Sequence, residues 1–124
     1  CLVALDFSEC ELQGANFEGA DLRGARFVGT DLRGARFGGA NLVKADFRKA
    51  DLTPLPLGAG RSLPTSLART SLRYAKLTEA RMTGIDLTDA DLSGADLTGA
   101  AVTGARFNGA LLDQAVGLSF EIAA

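Results

Sequence analysis

An apolar residue recurs at every fifth position along almost the whole chain. Of the 25 positions from 2 to 122 whose number leaves remainder two on division by five, 20 are Leu or Phe, and Met, Val and Ile raise the apolar count to 23. A small residue, most often Ala, usually precedes each apolar position by two, and Gly often follows it by two. Residues five apart lie about 140° apart around a helix, and an odd spacing puts them on opposite faces of a strand. The period therefore fits neither regular element.

A chain that turns a corner every five residues satisfies this pattern. Each short extended segment points its Leu or Phe and its Ala inward, and Gly occupies the corner, where positive φ is often needed. Continued turning in one sense gives a solenoid whose coils stack at the spacing of β-strands. A disordered low-complexity segment is disfavoured, because 47% of the residues are hydrophobic and can offset the ordering entropy by burial.

The five-residue blocks resemble a known repeat. ANLVK at 40–44, ADLSG at 90–94 and ADLTG at 95–99 are similar to the A(D/N)LXX unit of pentapeptide-repeat proteins. The resemblance covers residues 2–52 and about 65–115. It implies an all-β fold, a right-handed quadrilateral parallel β-helix with four five-residue faces per coil. The chain is then a single domain over residues 1–124, with about five to six coils.

The apolar residue alternates strictly between Leu and Phe from residue 2 to residue 47. In a four-sided coil this alternation predicts two opposite columns of rings, one with Phe7, Phe27 and Phe47 and the other with Phe17 and Phe37. Stacked rings add about 0.5–1.5 kcal/mol per pair. The interior is then filled by the chain's own side chains, so we expect no cofactor.

Residues 53–64 interrupt the pattern. All three prolines of the chain lie here, and proline cannot donate to the hydrogen bonds between coils. Because the five-residue phase survives, we expect an excursion of about ten residues, with Leu52 followed structurally by Leu67; a distorted half-coil within the wall is the alternative. A loop on a rigid scaffold is a common place for function. We therefore expect a partner-binding loop whose contact residues are Leu55, Leu57, Arg61 and Leu63.

The residue types argue against catalysis and metal binding. The chain has no His, and no Gly-rich phosphate loop is present. Asp86, Asp91 and Asp96 stand where the repeat carries Asp or Asn, so we expect a structural role on the outer surface. Cys10 occupies an inward position, which predicts a packed thiol. We therefore expect no catalytic residues, no metal site and no enzymatic activity.

Charge is distributed unevenly although the total is only -2. Residues 1–19 sum to -4, residues 20–81 to +7 and residues 82–124 to -5. The middle therefore predicts a basic surface, which either pairs with neighbouring carboxylates or docks an acidic partner. Without an aromatic stacking platform, we expect no direct binding of nucleic acid. The basic surface consists of Arg23, Arg26, Arg33, Arg36, Lys44, Arg48 and Lys49.

These features predict a non-enzymatic scaffold that binds an unknown protein partner through its solenoid surface and the 53–64 loop. The alternative follows from the resemblance, since some pentapeptide-repeat proteins mimic DNA, bind type II topoisomerases such as gyrase and protect them from quinolones. Those proteins are acidic along much of their surface, whereas the middle of this chain is basic. A supercoiling assay with and without quinolone separates the two functions.

The two ends of the chain give further expectations. Period two replaces period five at 116–124, which predicts a cap or a homodimer contact formed by Leu118, Phe120 and Ile122. The chain begins with Cys1 instead of Met, so we expect it to be part of a longer gene product. No run of 18 apolar residues and no signal peptide are present, so we expect no membrane association and a cytoplasmic location.

Overall fold

A computed structural model describes residues 6–117, which wind into a four-sided solenoid. Parallel β-bridges join residues of successive coils, and they fall into four columns, one for each face. Face 1 carries Asp6, Arg26, Asp46, Lys76, Asp96 and Val116; face 2 carries Glu11, Asp31, Asp51, Arg81 and Ala101; face 3 carries Asn16, Arg36, Ser66, Asp86 and Arg106; face 4 carries Asp21, Asn41, Ser71, Asp91 and Leu111. Five coil steps at strand spacing make the described rod about 25 Å tall.

Each face ends in a tight turn that the five-residue repeat encodes. In the second face-4 segment, Leu42 N donates to Ser71 O of the coil above at 2.8 Å, and Ala45 N donates back to Leu42 O at 2.9 Å. The intervening corner residue, Lys44, has φ of 64°. Glycine adopts such a φ without a steric penalty, which explains its recurrence at the corner position.

The core is a continuous column of side chains inside the coils. Phe27, Phe37 and Phe47 are fully buried. Phe27 stacks on Phe7 and Phe47 with ring centroids 5.1 and 4.9 Å apart, and it meets Phe17 and Phe37 edge to face across the lumen. The structure therefore confirms the two predicted Phe columns. Above them the lumen is filled by Leu67, Leu72, Leu77, Met82, Ile85, Leu87, Leu92 and Leu97.

Residues 55–63 leave this wall as an antiparallel hairpin. Strand β1 spans Leu55–Gly58 and strand β2 spans Arg61–Leu63. Below the hairpin, bridged residues are 20 apart, as in Asp31 with Asp51; across it they are 30 apart, as in Arg36 with Ser66. The extra ten residues therefore lie outside the coil, and the stacking continues above and below them.

One sequence expectation is wrong. Cys10 is an exposed free thiol, although it stands at an inward position of the repeat. It lies in the first described coil, where no described coil packs below it. Within residues 6–117 there is no helix, and hence none long and apolar enough to span a membrane. The expected cap residues Leu118, Phe120 and Ile122 lie outside the described residues.

Candidate partner-binding hairpin

The base of the hairpin is closed by one buried hydroxyl. In other coils the N–H of the corner residue donates to the coil above, as Gly24 N does to Val43 O at 2.9 Å. At the hairpin, Thr65 Oγ1 inserts into this bond: it accepts from Gly34 N at 2.7 Å and donates to Thr53 O at 3.0 Å. Thr65 is fully buried. Its hydroxyl therefore pairs two backbone groups that the outgoing chain has separated.

Apolar packing holds the same base against the coil below. A methyl group built on Gly34 would come within 3.0 Å of both Leu55 Cβ and Leu63 Cδ2, so these leucines lie directly over the glycine. Leu55 and Leu63 are also paired partners in the hairpin. Two of the four predicted contact residues are thus half-buried and fix the direction in which the hairpin leaves the rod.

The outer part of the hairpin presents the other two predicted residues to solvent. The pairing steps from Pro56 with Ser62 to Gly58 with Arg61, so Leu57 is the extra residue of a bulge. Bulges change the direction of a side chain, and Leu57 is 53% exposed. Arg61 is also exposed, and no described carboxylate lies within ion-pair distance of it. The tip thus combines a bare aliphatic side chain with an available guanidinium.

A turn with two left-handed residues closes the tip. Ala59 and Gly60 have φ of 50° and 74°. Positive φ at both central residues is the backbone geometry of a type I′ turn, whose twist matches that of paired strands. The hairpin is therefore a defined ribbon with its own turn, and its strands are joined at the base by the Leu55 and Leu63 pair.

A shallow cleft of about 250 Å³ lies beside the hairpin base. It is lined by Pro64, Thr65, Ser66, Gly84, Asp86 and Arg106. Asp86 and Arg106 are bridged neighbours on face 3; the hydrogen bond from the Thr88 hydroxyl lowers the pKa of Asp86 most, and the Arg106 guanidinium lowers it further. The cleft thus offers both signs of charge beside the hairpin base.

Most of the predicted basic surface is neutralised by nearby carboxylates. Arg23, Arg33 and Arg48 each bind the Asp two residues earlier, with N–O distances of 2.8, 3.0 and 2.8 Å. Arg36 reaches Glu18 of the coil below at 3.0 Å, and Arg26 reaches Asp6 at 3.8 Å. Lys44 and Lys49 differ, because no carboxylate among residues 6–117 lies within 4 Å of either ammonium.

Asp86, Asp91 and Asp96, for which the sequence predicts a structural role, each hold a turn of the wall. Asp86 Oδ1 accepts the N–H and the hydroxyl of Thr88 at 3.0 and 2.6 Å, and Asp91 and Asp96 bind the residue two positions later in the same way. The hydroxyl bond from Thr88 is the main cause of the lowered pKa of Asp86. The carboxylates therefore stay ionised and hold the turns. No cluster of metal-binding side chains occurs among the described residues.

The family follows from the repeats themselves. A family model for pentapeptide repeats matches eight copies over residues 1–39, 30–53, 65–101 and 90–116. The chain belongs to the pentapeptide repeat family. Its fold is the right-handed β-helix of that family, as the resemblance implied. No curated protein sequence matches the chain significantly.

Solved structures of this family resemble the chain to different degrees. HetL, a pentapeptide repeat protein involved in heterocyst differentiation regulation in the cyanobacterium Nostoc sp. strain PCC 7120, is 31% identical over 91% of this chain, with a TM-score of 0.70. Rfr23 from the cyanobacterium Cyanothece 51142 is 20% identical over 88% of this chain and 84% of its own, with a TM-score of 0.63. The chain spans 50% of HetL.

A more distant likeness concerns drug resistance. A trypsin-treated variant of QnrB1, a plasmid-mediated fluoroquinolone resistance protein, is 24% identical over 87% of this chain and 60% of its own, with a TM-score of 0.49. The likeness to QnrB1 is too small to carry a functional argument for this chain.

Sequence reasoning missed Thr65. The residue stands at an inward position that the repeat usually fills with Ala, as do Thr30 and Thr70. A hydroxyl at an inward position signals a hydrogen bond that Ala cannot make, and all three threonines make one. The adjoining prolines pointed to a loop, but the partner atoms on Gly34 and Thr53 are distant in sequence.

Proposed function

We propose that this protein is a non-enzymatic scaffold that binds a protein partner through the hairpin at residues 55–63. The observation that carries the proposal is the exposure of Leu57 at a bulge in a ribbon whose base is clamped to a rigid rod. An exposed aliphatic side chain held in one direction loses little conformational entropy when a partner covers it. Contact surfaces of this kind concentrate binding energy in a few anchors.

The charge distribution supports a protein-binding role over DNA mimicry. A DNA mimic needs acidic side chains in a continuous array, and face 1 instead alternates Asp6, Arg26, Asp46, Lys76 and Asp96. Near neighbours of opposite sign cancel one another's field at the distance of a partner. A gyrase supercoiling assay with quinolone is therefore expected to show no protection by this chain; protection would favour the alternative function.

Site-specific photocrosslinking in the source cells tests the hairpin. Benzoylphenylalanine replaces Leu57 in one chain and Asn108, which is exposed at the corner between faces 3 and 4, in the control chain. We expect a discrete adduct from position 57 only, and unlabelled wild-type chain should compete it away while a chain lacking residues 55–64 should not. Equal adducts from both positions, or competition by the deletion chain, would refute a role for the hairpin in binding.

A further inference from the structure

A second exposed feature lies at the opposite corner of the rod. The hairpin leaves between faces 2 and 3, whereas Lys44 and Tyr74 occupy the corner between faces 4 and 1. Lys44 N donates to Arg73 O at 2.9 Å, which places Lys44 one coil below Arg73 and Tyr74. Lys76 follows on face 1. We call Lys44, Arg73, Tyr74 and Lys76 the basic corner.

The ring of Tyr74 is held in place and yet exposed. A methyl group built on Gly94 would come within 2.7 Å of Tyr74 Cδ1 and Cε1, so the ring covers this glycine of the coil above. The guanidinium carbon of Arg73 lies 5.9 Å from the ring centroid. Tyr74 remains 53% exposed. Of the nine described non-glycine residues with positive φ, it is the one aromatic residue.

The two lysines of the basic corner lack the carboxylate pairing found elsewhere on the rod. No carboxylate among the described residues lies within 4 Å of the Lys44 or Lys76 ammonium. Asp46, the bridged neighbour of Lys76, is occupied by Arg48, which binds it through Nε and Nη2. The two ammonium groups are therefore available to a ligand, whereas Arg73 shares its charge with Asp91 at 3.9 Å.

The positive net charge on faces 4 and 1 ends below the coil of residues 90–99. On these faces residues 20–29 sum to +1, residues 40–49 to +2 and residues 70–79 to +1, whereas residues 90–99 above them sum to -2. Three coils at strand spacing span about 15 Å. A nucleic acid duplex laid along the rod would meet Asp91 and Asp96, and it would find one aromatic ring in place of a stacking series.

We propose that the basic corner binds a short acidic segment of a protein partner. Its carboxylates would contact Lys44, Lys76 and Arg73, and its aliphatic stems would cover the Tyr74 ring. Tyrosine and arginine are the residue types that dominate binding energy at protein interfaces, and rigid aromatic anchors lose little entropy on binding. The proposal is independent of the hairpin, and together the two sites would let one rod hold two partners on opposite corners.

Fluorescence anisotropy tests this proposal. The full chain is titrated into fluorescein-labelled octaglutamate at about 50 mM salt, which limits the screening of charges. We expect Lys44→Glu combined with Lys76→Glu to weaken binding about tenfold or more. Tyr74→Gly should weaken it several-fold at unchanged net charge, and glycine already stands at the corner position of most five-residue repeats, so the variant should fold. Circular dichroism checks that it does.

The matched control is Arg69→Glu combined with Arg81→Glu, which changes net charge equally on exposed residues away from both the basic corner and the hairpin. We expect it to change the affinity less than about twofold. The proposal is overturned if the control weakens binding as much as the corner variant, or if octaglutamate fails to bind. If a nucleic acid duplex of about 20 base pairs binds more tightly than octaglutamate and the corner variant loses this binding, the basic corner is a nucleic acid site instead.

Discussion

Replacing Thr65 by valine tests whether one hydroxyl holds the base of the hairpin. Valine keeps the shape of the side chain but can neither accept from Gly34 N nor donate to Thr53 O, which lie 2.7 and 3.0 Å from Thr65 Oγ1. Gly34 and Thr65 are buried, whereas Thr53 is half-buried and its carbonyl can recruit water. Leaving a buried polar group unpaired costs about 1–3 kcal/mol.

We therefore expect Thr65→Val to lower the free energy of unfolding by about 2–4 kcal/mol, which for a chain of this size corresponds to a fall in Tm of about 10 °C. Urea and thermal unfolding followed by far-UV circular dichroism measure both quantities. Thr65→Ser keeps the hydroxyl and should recover most of the loss, apart from the missing methyl group.

Thr70→Val is the matched control, because Thr70 is also buried and its hydroxyl donates to Leu67 O at 2.8 Å. That carbonyl already accepts the backbone N–H of Thr70, so no backbone group loses its sole partner. Thr70→Val should lower the free energy of unfolding by less than about 1 kcal/mol. Equal losses in the two valine variants would show that Thr65 contributes no more than an ordinary buried hydroxyl, and the proposed clamp would be wrong.

Four further changes test other parts of the molecule. Deleting residues 55–64 keeps the repeat phase and should preserve the β-type circular dichroism, whereas its collapse would make the segment part of the wall. Phe27→Asp puts a carboxylate between stacked rings and should prevent folding, with a loss of at least about 3–5 kcal/mol; a soluble variant with wild-type Tm would contradict this. The pKa of Asp86 is lowered in the folded state, so its stabilisation is full above the unfolded pKa near 4 and is lost as the pH falls through the folded pKa. Thr88→Ala should therefore make the free energy of unfolding, measured with urea, depend less on pH in the acid range. An unchanged pH profile would argue against the hydrogen bond from Thr88 to Asp86. Phe120→Glu should shift a dimer to monomer in sedimentation if the C-terminal segment is an interface, and identical monomeric profiles with equal stability would exclude both interface and cap.

The repeat phase made the coil and its core accessible to sequence reasoning. Each coil of a solenoid contacts only its neighbours, so the local period determines both the corners and the residues that point inward. The alternation of Leu and Phe therefore located the ring columns, which the structure confirms with Phe7, Phe27 and Phe47 stacked in one of them. The prolines likewise marked the place where the wall is interrupted.

The stacking register determines which side chains meet between coils, and the hairpin sets that register. Lys44 lies below Tyr74, 30 residues later, because ten residues leave the coil between them; an uninterrupted repeat would have put Pro64 there. The pairing of Arg36 with Glu18 and the position of the Tyr74 ring over Gly94 are likewise contacts between coils.

Because burial and hydrogen bonding depend on how the coils stack, the expectation for Cys10 was wrong and the role of Thr65 was missed. The five-residue phase assigns both to inward positions, but burial also requires a coil on each side, and Cys10 lies in the first described coil. Thr65 has its hydroxyl between atoms 31 and 12 residues away. The sequence by itself determined the repeating geometry, because that geometry is local. Only the tertiary structure decided the contacts between coils, because they join residues brought together by stacking.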